Sequence, residues 1–215
     1  MRTLRGEFID QSLRGELIEL SSLHGCALFV RNTMKIVGLI SGGKDSCHSL
    51  LKCLLYGHEI VCLANLIPVD SDIEELNSFM YQTAGHSVLP LLAECFNVPL
   101  IRGDICGAAK IQSLSYDKPE EGDEVEDLYN LLKSVIEKFP EVEGVSCGAI
   151  ASTYQRLRVE SVCDRLNLKS IAYLWMRDSS SLFDEMVSDY YRCCCFSESE
   201  SESKYLFTPS RLDQV

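Results

Sequence analysis

A single doubly wound, mainly parallel α/β sheet of about five strands is the architecture that this 215-residue sequence predicts. Three observations lead there. Short apolar runs suited to buried parallel strands recur between residues 34 and 187, and stretches with apolar residues at helical spacing separate them. The first run passes straight into a glycine turn and a helix start, the joint by which such sheets present ligand sites at the carboxyl ends of their strands. The length suits one domain with a substantial core, and 46% hydrophobic with 24% charged residues is a globular composition.

That first run, Lys35-Ile36-Val37-Gly38-Leu39-Ile40, predicts a buried strand, and Ser41-Gly42-Gly43-Lys44-Asp45-Ser46 follows it. Leu50, Leu51, Leu54 and Leu55 then recur as on a helix. N–H groups left unpaired in a first helical turn, with the helix dipole behind them, form an anion site. Gly42 and Gly43 let the backbone approach a phosphate, Ser41 and Ser46 add hydroxyls, Lys44 a cation, and Asp45 a ligand for Mg²⁺. A plain strand–turn–helix joint with a serine cap is the blander reading, but it does not call for this residue set. The pattern is no Walker A loop, which needs GxxxxGK[ST]. It resembles the PP-loop, the SGGxDS signature of the N-type ATP pyrophosphatases, whose Rossmann-like fold is of the adenine nucleotide alpha hydrolase type. That resemblance implies ATP binding and AMP-forming chemistry.

The later elements follow in order. Residues 59–66 read as a second buried strand, whose carboxyl end at Ala64-Asn65-Leu66 is placed to face a nucleotide base. A helix is predicted over 87–96 and a third strand over 98–102, which Pro99 must open. Residues 103–120 look irregular. A helix from Glu121 to about Lys138 carries acids in its first turn, either as a solvated, dipole-matched start or as a metal or amine site. A fourth strand is predicted over 144–150, a helix over 152–166, a fifth strand over 171–175 and a further helix over 179–187. Arg156 and Glu160, four apart, suit a surface ion pair. Arg156 and Arg158 at the carboxyl end of a parallel strand are also placed to hold phosphate or carboxylate groups.

Residues 1–33, with four arginines and four acids, read as a mobile N-terminal extension without a targeting pattern. Residues 188–215 hold Cys193-Cys194-Cys195 and an alternating Ser-Glu run, and read as a divergent, disordered tail. The net charge of −12 argues against nucleic-acid and membrane-surface partners. Eleven scattered cysteines without CxxC spacing predict buried free thiols in a reducing, cytoplasmic setting.

From residue 34 to 187 the chain resembles the diphthine–ammonia ligase family. The resemblance rests on 39–46, 63–66, Met80-Tyr81-Gln82-Thr83 with Gly85-His86, the run 121–128, and Gly148-Ala149-Ile150 with Tyr154-Gln155-Arg156, Arg158 and Glu160. It implies ATP-dependent amidation of the diphthine carboxylate on elongation factor 2 with ammonia, yielding diphthamide, AMP and pyrophosphate through an acyl-adenylate. It further implies ATP with Mg²⁺ on Ser41, Gly42, Gly43, Lys44, Asp45 and Ser46, with Asn65 near the base. Arg156 and Arg158 would clamp the acceptor carboxylate or α-phosphate. Tyr81, Gln82 and His86 would orient the acceptor or relay a proton. Glu124 and Asp127 would receive the trimethylammonium or the ammonium, with Tyr154, Gln155 and Glu160 completing the substrate site. Asn77 stands where the family carries aspartate. The family's later Glu-Gly-Gly-Glu-Tyr-Glu-Thr stretch has no counterpart, as in a truncated form that binds ATP without ligating. Another PP-loop adenylating enzyme is the remaining alternative.

Overall fold

The computed structural model describes residues 33–69, 78, 80–81, 86–116 and 118–198, with His86 and residues 190–198 described by backbone alone. All but Thr33 belong to the compact unit that begins at Met34. The expectations for residues 1–32, for Gln82 and for residues 199–215 lie outside the described residues.

Five strands make one sheet: β1 (Lys35–Leu39), β2 (Glu59–Pro68), β3 (Leu100–Ile105), β4 (Gly144–Ser146) and β5 (Lys169–Ile171). Their order is β3-β2-β1-β4-β5, and every neighbouring pair is parallel. A parallel neighbour can only be reached by a crossover. Helices α1 (Lys44–Leu55), α2 (Leu89–Phe96), α3 (Glu124–Lys138), α4 (Thr153–Arg165) and α5 (Ser179–Glu198) follow the five strands in turn. The chain builds outward from β1 to β3, then returns to the other side of β1 for β4. The order therefore reverses between β1 and β4, where open α/β sheets bind ligands.

Both faces of the sheet are covered, so the strands read as near-continuous apolar runs. Ile36 and Leu63 pack with Leu50 and Cys53 of α1 and Leu89 and Ala93 of α2. Val37, Ala64 and Val145 turn the other way, toward Val125, Leu128 and Leu132 of α3 and Val159 and Val162 of α4. Gly38 permits the close seat of α1, because a Cβ there would stand 2.3 Å from Leu50 Cδ2.

Several boundaries depart from the sequence expectation. The third strand starts at Leu100 and runs on to Ile105; Pro99 has no N–H to give, and only its carbonyl joins the sheet, accepting from Leu63 N–H at 2.9 Å. The fourth strand stops at Ser146, and the fifth is Lys169–Ile171 rather than 171–175, since its one neighbour, β4, offers just these three partners. The apolar Tyr173, Leu174 and Trp175 enter a turn, closed by Trp175 N–H on Ala172 O at 3.1 Å and Met176 N–H on Ile150 O at 2.7 Å. Helix α3 begins at Glu124, because Asp123 caps it through Oδ1 on Val125 N–H at 3.0 Å. Helix α5 continues past Val187 to Glu198, where the sequence predicts disorder from residue 188.

Candidate active site at the reversal of strand order

The Ser41–Ser46 turn joins β1 to α1 at this reversal, and its two serines close it. Ser46 Oγ donates to Gly43 O at 2.9 Å and accepts from Ser41 N–H at 3.3 Å, while Gly43 N–H reaches Ser41 Oγ at 3.4 Å. Gly42 has φ 84°, a left-handed conformation that glycine adopts without penalty. Gly43 caps α1 with no side-chain hydrogen bond, so the helix's first-turn N–H groups have no side-chain cap. Lys44 is largely exposed with Nζ 2.9 Å from Asp45 Oδ1, so a cation and a carboxylate stand together at the mouth.

A cavity of about 200 Å³ opens against this turn. Ser41, Asp45 and Ser46 line one side, Asn65 the strand ends, Met80 and Tyr81 another wall, and Gly148 and Gln155 the side from β4 and α4. Asn65 is buried, and its Nδ2 donates to Ile40 O at 2.7 Å, which fixes the amide's orientation. Gly148 backs the turn: a Cβ there would lie 3.0 Å from both the N and Cα of Ser46. Below it, Ser49 Oγ meets Ser146 Oγ at 3.0 Å and donates to Cys147 O at 3.2 Å, tying α1 to the end of β4.

The wall carrying Met80 and Tyr81 is fastened from α3. Ser78 Oγ donates to Glu124 Oε2 at 2.7 Å and accepts from Met80 N–H at 3.0 Å and Tyr81 N–H at 2.8 Å. Tyr81 Oη donates to Glu124 O at 2.6 Å, and Gln155 Nε2 donates to Met80 O at 3.2 Å. Glu124 is 2% exposed, and burial raises its carboxyl pKa above the ordinary value. Burial, then Glu124, raises the Tyr81 hydroxyl well above its own ordinary value, so it donates rather than ionises.

Other expected site residues are employed elsewhere. Arg158 is fully buried and away from the cavity lining: its Nη2 donates to Ile111 O at 2.6 Å and Ser113 O at 2.9 Å, with the guanidinium 3.2 Å from the Tyr154 ring centroid. A residue with no exposed surface, spent on carbonyls, cannot clamp a substrate, which corrects the role expected for Arg158. Tyr154 also joins this stack, its Oη donating to Ile111 O at 3.2 Å. Asp127 lies outside the lining of this cavity. Its Oδ2 accepts from Cys106 N–H at 2.9 Å and Gly107 N–H at 2.8 Å, which fixes the loop after β3. Arg156 Nε pairs with Glu160 Oε1 at 2.6 Å and its guanidinium lies 4.7 Å from the Trp175 ring centroid, outside the cavity lining. The His86 side chain and Gln82 lie outside the description.

Sequence reasoning gave no role to Ser78, though it directly follows Asn77, the position already singled out. The thiols divide. Cys53, Cys62, Cys147 and Cys163 are buried as expected, with burial pushing Cys53 to about 11 and Cys62 to about 12, whereas Cys95 and Cys106 are exposed. No described helix is long and apolar enough to cross a membrane.

A parallel doubly wound sheet with this glycine turn at its reversal defines a PP-loop nucleotide-hydrolase type of α/β protein. Within that class, the family described as Diphthamide synthase N-terminal domain matches residues 34–170, and the chain belongs to it. The chain is 55% identical over 154 residues to the diphthine–ammonia ligase of Schizosaccharomyces pombe, 54% over 156 to that of Danio rerio and 54% over 157 to that of Homo sapiens. In each case 72% of this chain is covered, against 25%, 60% and 58% of the relative. The chain thus spans less than two thirds of the length of these relatives.

Proposed function

We propose that this chain binds ATP with Mg²⁺ at the Ser41–Ser46 turn and adenylates the diphthine carboxylate of elongation factor 2 for amidation by ammonia. The single observation that carries this reading is the cradle itself: backbone N–H groups at an uncapped helix start, a left-handed glycine, two ordered hydroxyls and the Lys44–Asp45 pair beside one cavity. The donor set suits a triphosphate with its cation. One carboxylate, Asp45, is enough for Mg²⁺, which takes its remaining ligands from phosphates and water.

ATP would supply an AMP group that turns the unreactive carboxylate into an acyl-adenylate, with pyrophosphate as leaving group. Gly42, Gly43, Ser41, Ser46 and Lys44 would stabilise charge on that leaving group, and the site's pre-formed geometry spares reorganisation. Asn65 would contact the base. Tyr81 and Gln155 on the facing wall would orient the acceptor, with the buried Glu124 holding Ser78 and Tyr81 in place. Arg156 could exchange Glu160 for a substrate anion, a positioning that makes attack effectively unimolecular. The buried thiols support a cytoplasmic setting. The second reading is an ATP-binding chain that does not ligate.

The test adds ATP, Mg²⁺, ammonium and diphthine-bearing elongation factor 2 to the purified chain. Expected are saturable ATP binding, pyrophosphate release and diphthamide, all lost in Asp45→Ala. Binding with no product would leave the second reading. An absence of ATP binding would remove both.

A further inference from the structure

Helix α5 lies against α1 through a cluster that the nucleotide site does not use. His48, on α1, is 3% exposed, with Nε2 3.7 Å from Glu185 Oε1 and Nδ1 3.9 Å from Asp189 Oδ2, both on α5. One ligand atom from each of the three lies within 4.8 Å of the other two. His48 Nε2 and Asp189 Oδ2 are buried and have no hydrogen-bond partner, a costly arrangement that a cation would relieve. Glu185 Oε2 is held by Arg177 Nη2 at 2.7 Å, which leaves Oε1 turned to the imidazole, as an outer-shell partner orients a metal-bound carboxylate. Lys52 Nζ contacts that same Oε1 and is the resident cation of the cluster.

We infer that His48, Glu185 and Asp189 form a site for a divalent first-row transition metal of the zinc kind, in which the ion displaces the Lys52 ammonium. One imidazole with two carboxylates is the donor chemistry of such ions rather than of Ca²⁺, which wants an all-oxygen shell. The two carboxylates match the ion's charge, while Lys52, on a flexible stem, can swing to water. Burial lowers the His48 pKa, which keeps the ring neutral and free to ligate at neutral pH. The ion would join α5 to the helix whose first turn is the phosphate cradle.

The experiment uses the 215-residue chain, stripped with a chelator, its accessible cysteines alkylated, and titrated with Co²⁺ while visible spectra and affinity are followed. Expected is one saturable site with nitrogen and oxygen ligation and no thiolate charge-transfer band, from which Zn²⁺ displaces Co²⁺. Asp189→Asn and His48→Gln should each weaken binding at least tenfold, and Lys52→Met should tighten it several-fold by vacating Glu185. Circular dichroism reports whether each variant folds. Should His48→Gln unfold, Asp189→Asn decides alone, because Asp189 is partly exposed and its replacement keeps the volume. No saturable binding, a thiolate spectrum, or a folded Asp189→Asn that binds as before would each overturn the site.

Discussion

Arg156 and Arg158 stand two residues apart on one helix, yet they sit in opposite electrostatic settings. Arg156 is about a quarter exposed and pairs with Glu160 across one helical turn, an interaction worth about 0.3–0.5 kcal/mol, with a further ~0.5–1 kcal/mol from the Trp175 ring. Arg158 has no exposed surface and satisfies two carbonyls of the 111–113 loop. Removing it strands those acceptors without water, at about 1–3 kcal/mol, and leaves a cavity beside Tyr154. Urea unfolding should therefore show Arg158→Met losing about 2–4 kcal/mol and Arg156→Met no more than about 1 kcal/mol. Equal losses would contradict the assigned settings. The cradle was legible because its chemistry is local: six consecutive residues carry glycines, hydroxyls and charges. Arg158 was not, because its partners lie over forty residues upstream in a loop without periodicity. The contacts of Asp127 were hidden for the same reason, since an acid in a first helical turn looks alike whether or not it accepts from the backbone N–H groups of Cys106 and Gly107.

Two elements meet at Gly148, where the chain leaving β4 runs against the start of α1. A Cβ at this point would press on Ser46 N, Ser46 Cα and Asp45 C at 3.0–3.2 Å, all backbone, so the helix start itself must shift. Gly38 offers the contrast, because the atom a Cβ would meet there is the end of the Leu50 side chain. Gly148→Ala should cost ATP affinity at least tenfold with modest loss of stability. Gly38→Ala should instead overpack the core by about 1–3 kcal/mol and leave affinity in the folded protein within about threefold. Calorimetric titration beside thermal melting separates the two, and unchanged ATP affinity in Gly148→Ala would show that Gly148 is no back wall of the cradle. Four strands were readable from their apolar runs, whereas the run predicted as the fifth shares only Ile171 with β5, and strand length was not readable. Length depends on pairing: β4 gives β5 three partners, and the rest of the predicted fifth strand, though apolar, turns away.

For the molecule as a whole, burial of two histidines sets a pH response. His58 Nδ1 accepts from Met34 N–H at 3.1 Å and Nε2 lies 2.6 Å from Tyr173 Oη, so the neutral ring with its proton on Nε2 serves both contacts. Burial lowers the pKa of His58, and burial followed by Lys52 lowers that of His48. For a base whose folded pKa is depressed, the unfolded chain takes up protons first as pH falls. The stabilisation is thus complete above the unfolded value of about 6.5 and is lost as pH drops from there toward the folded pKa. Melting temperature should fall between about pH 7 and pH 5 in metal-free buffer, and His48→Gln/His58→Gln should flatten most of that slope. A slope unchanged in the double variant would assign the effect to carboxylates.

The central place of β1 also bears on synthesis. It is the first of the described strands to leave the ribosome, yet one of its two flanks waits for β4, roughly a hundred residues later. At the usual pace of translation this leaves an open hydrogen-bonding edge for about 5–20 s. During that interval the cradle, too, lacks Gly148 behind it, so the nascent chain carries its signature motif long before it can hold a nucleotide. β2 pairs with the opposite flank and leaves that edge open, so ribosome-stalled chains ending before and after β4 should differ sharply in their resistance to protease.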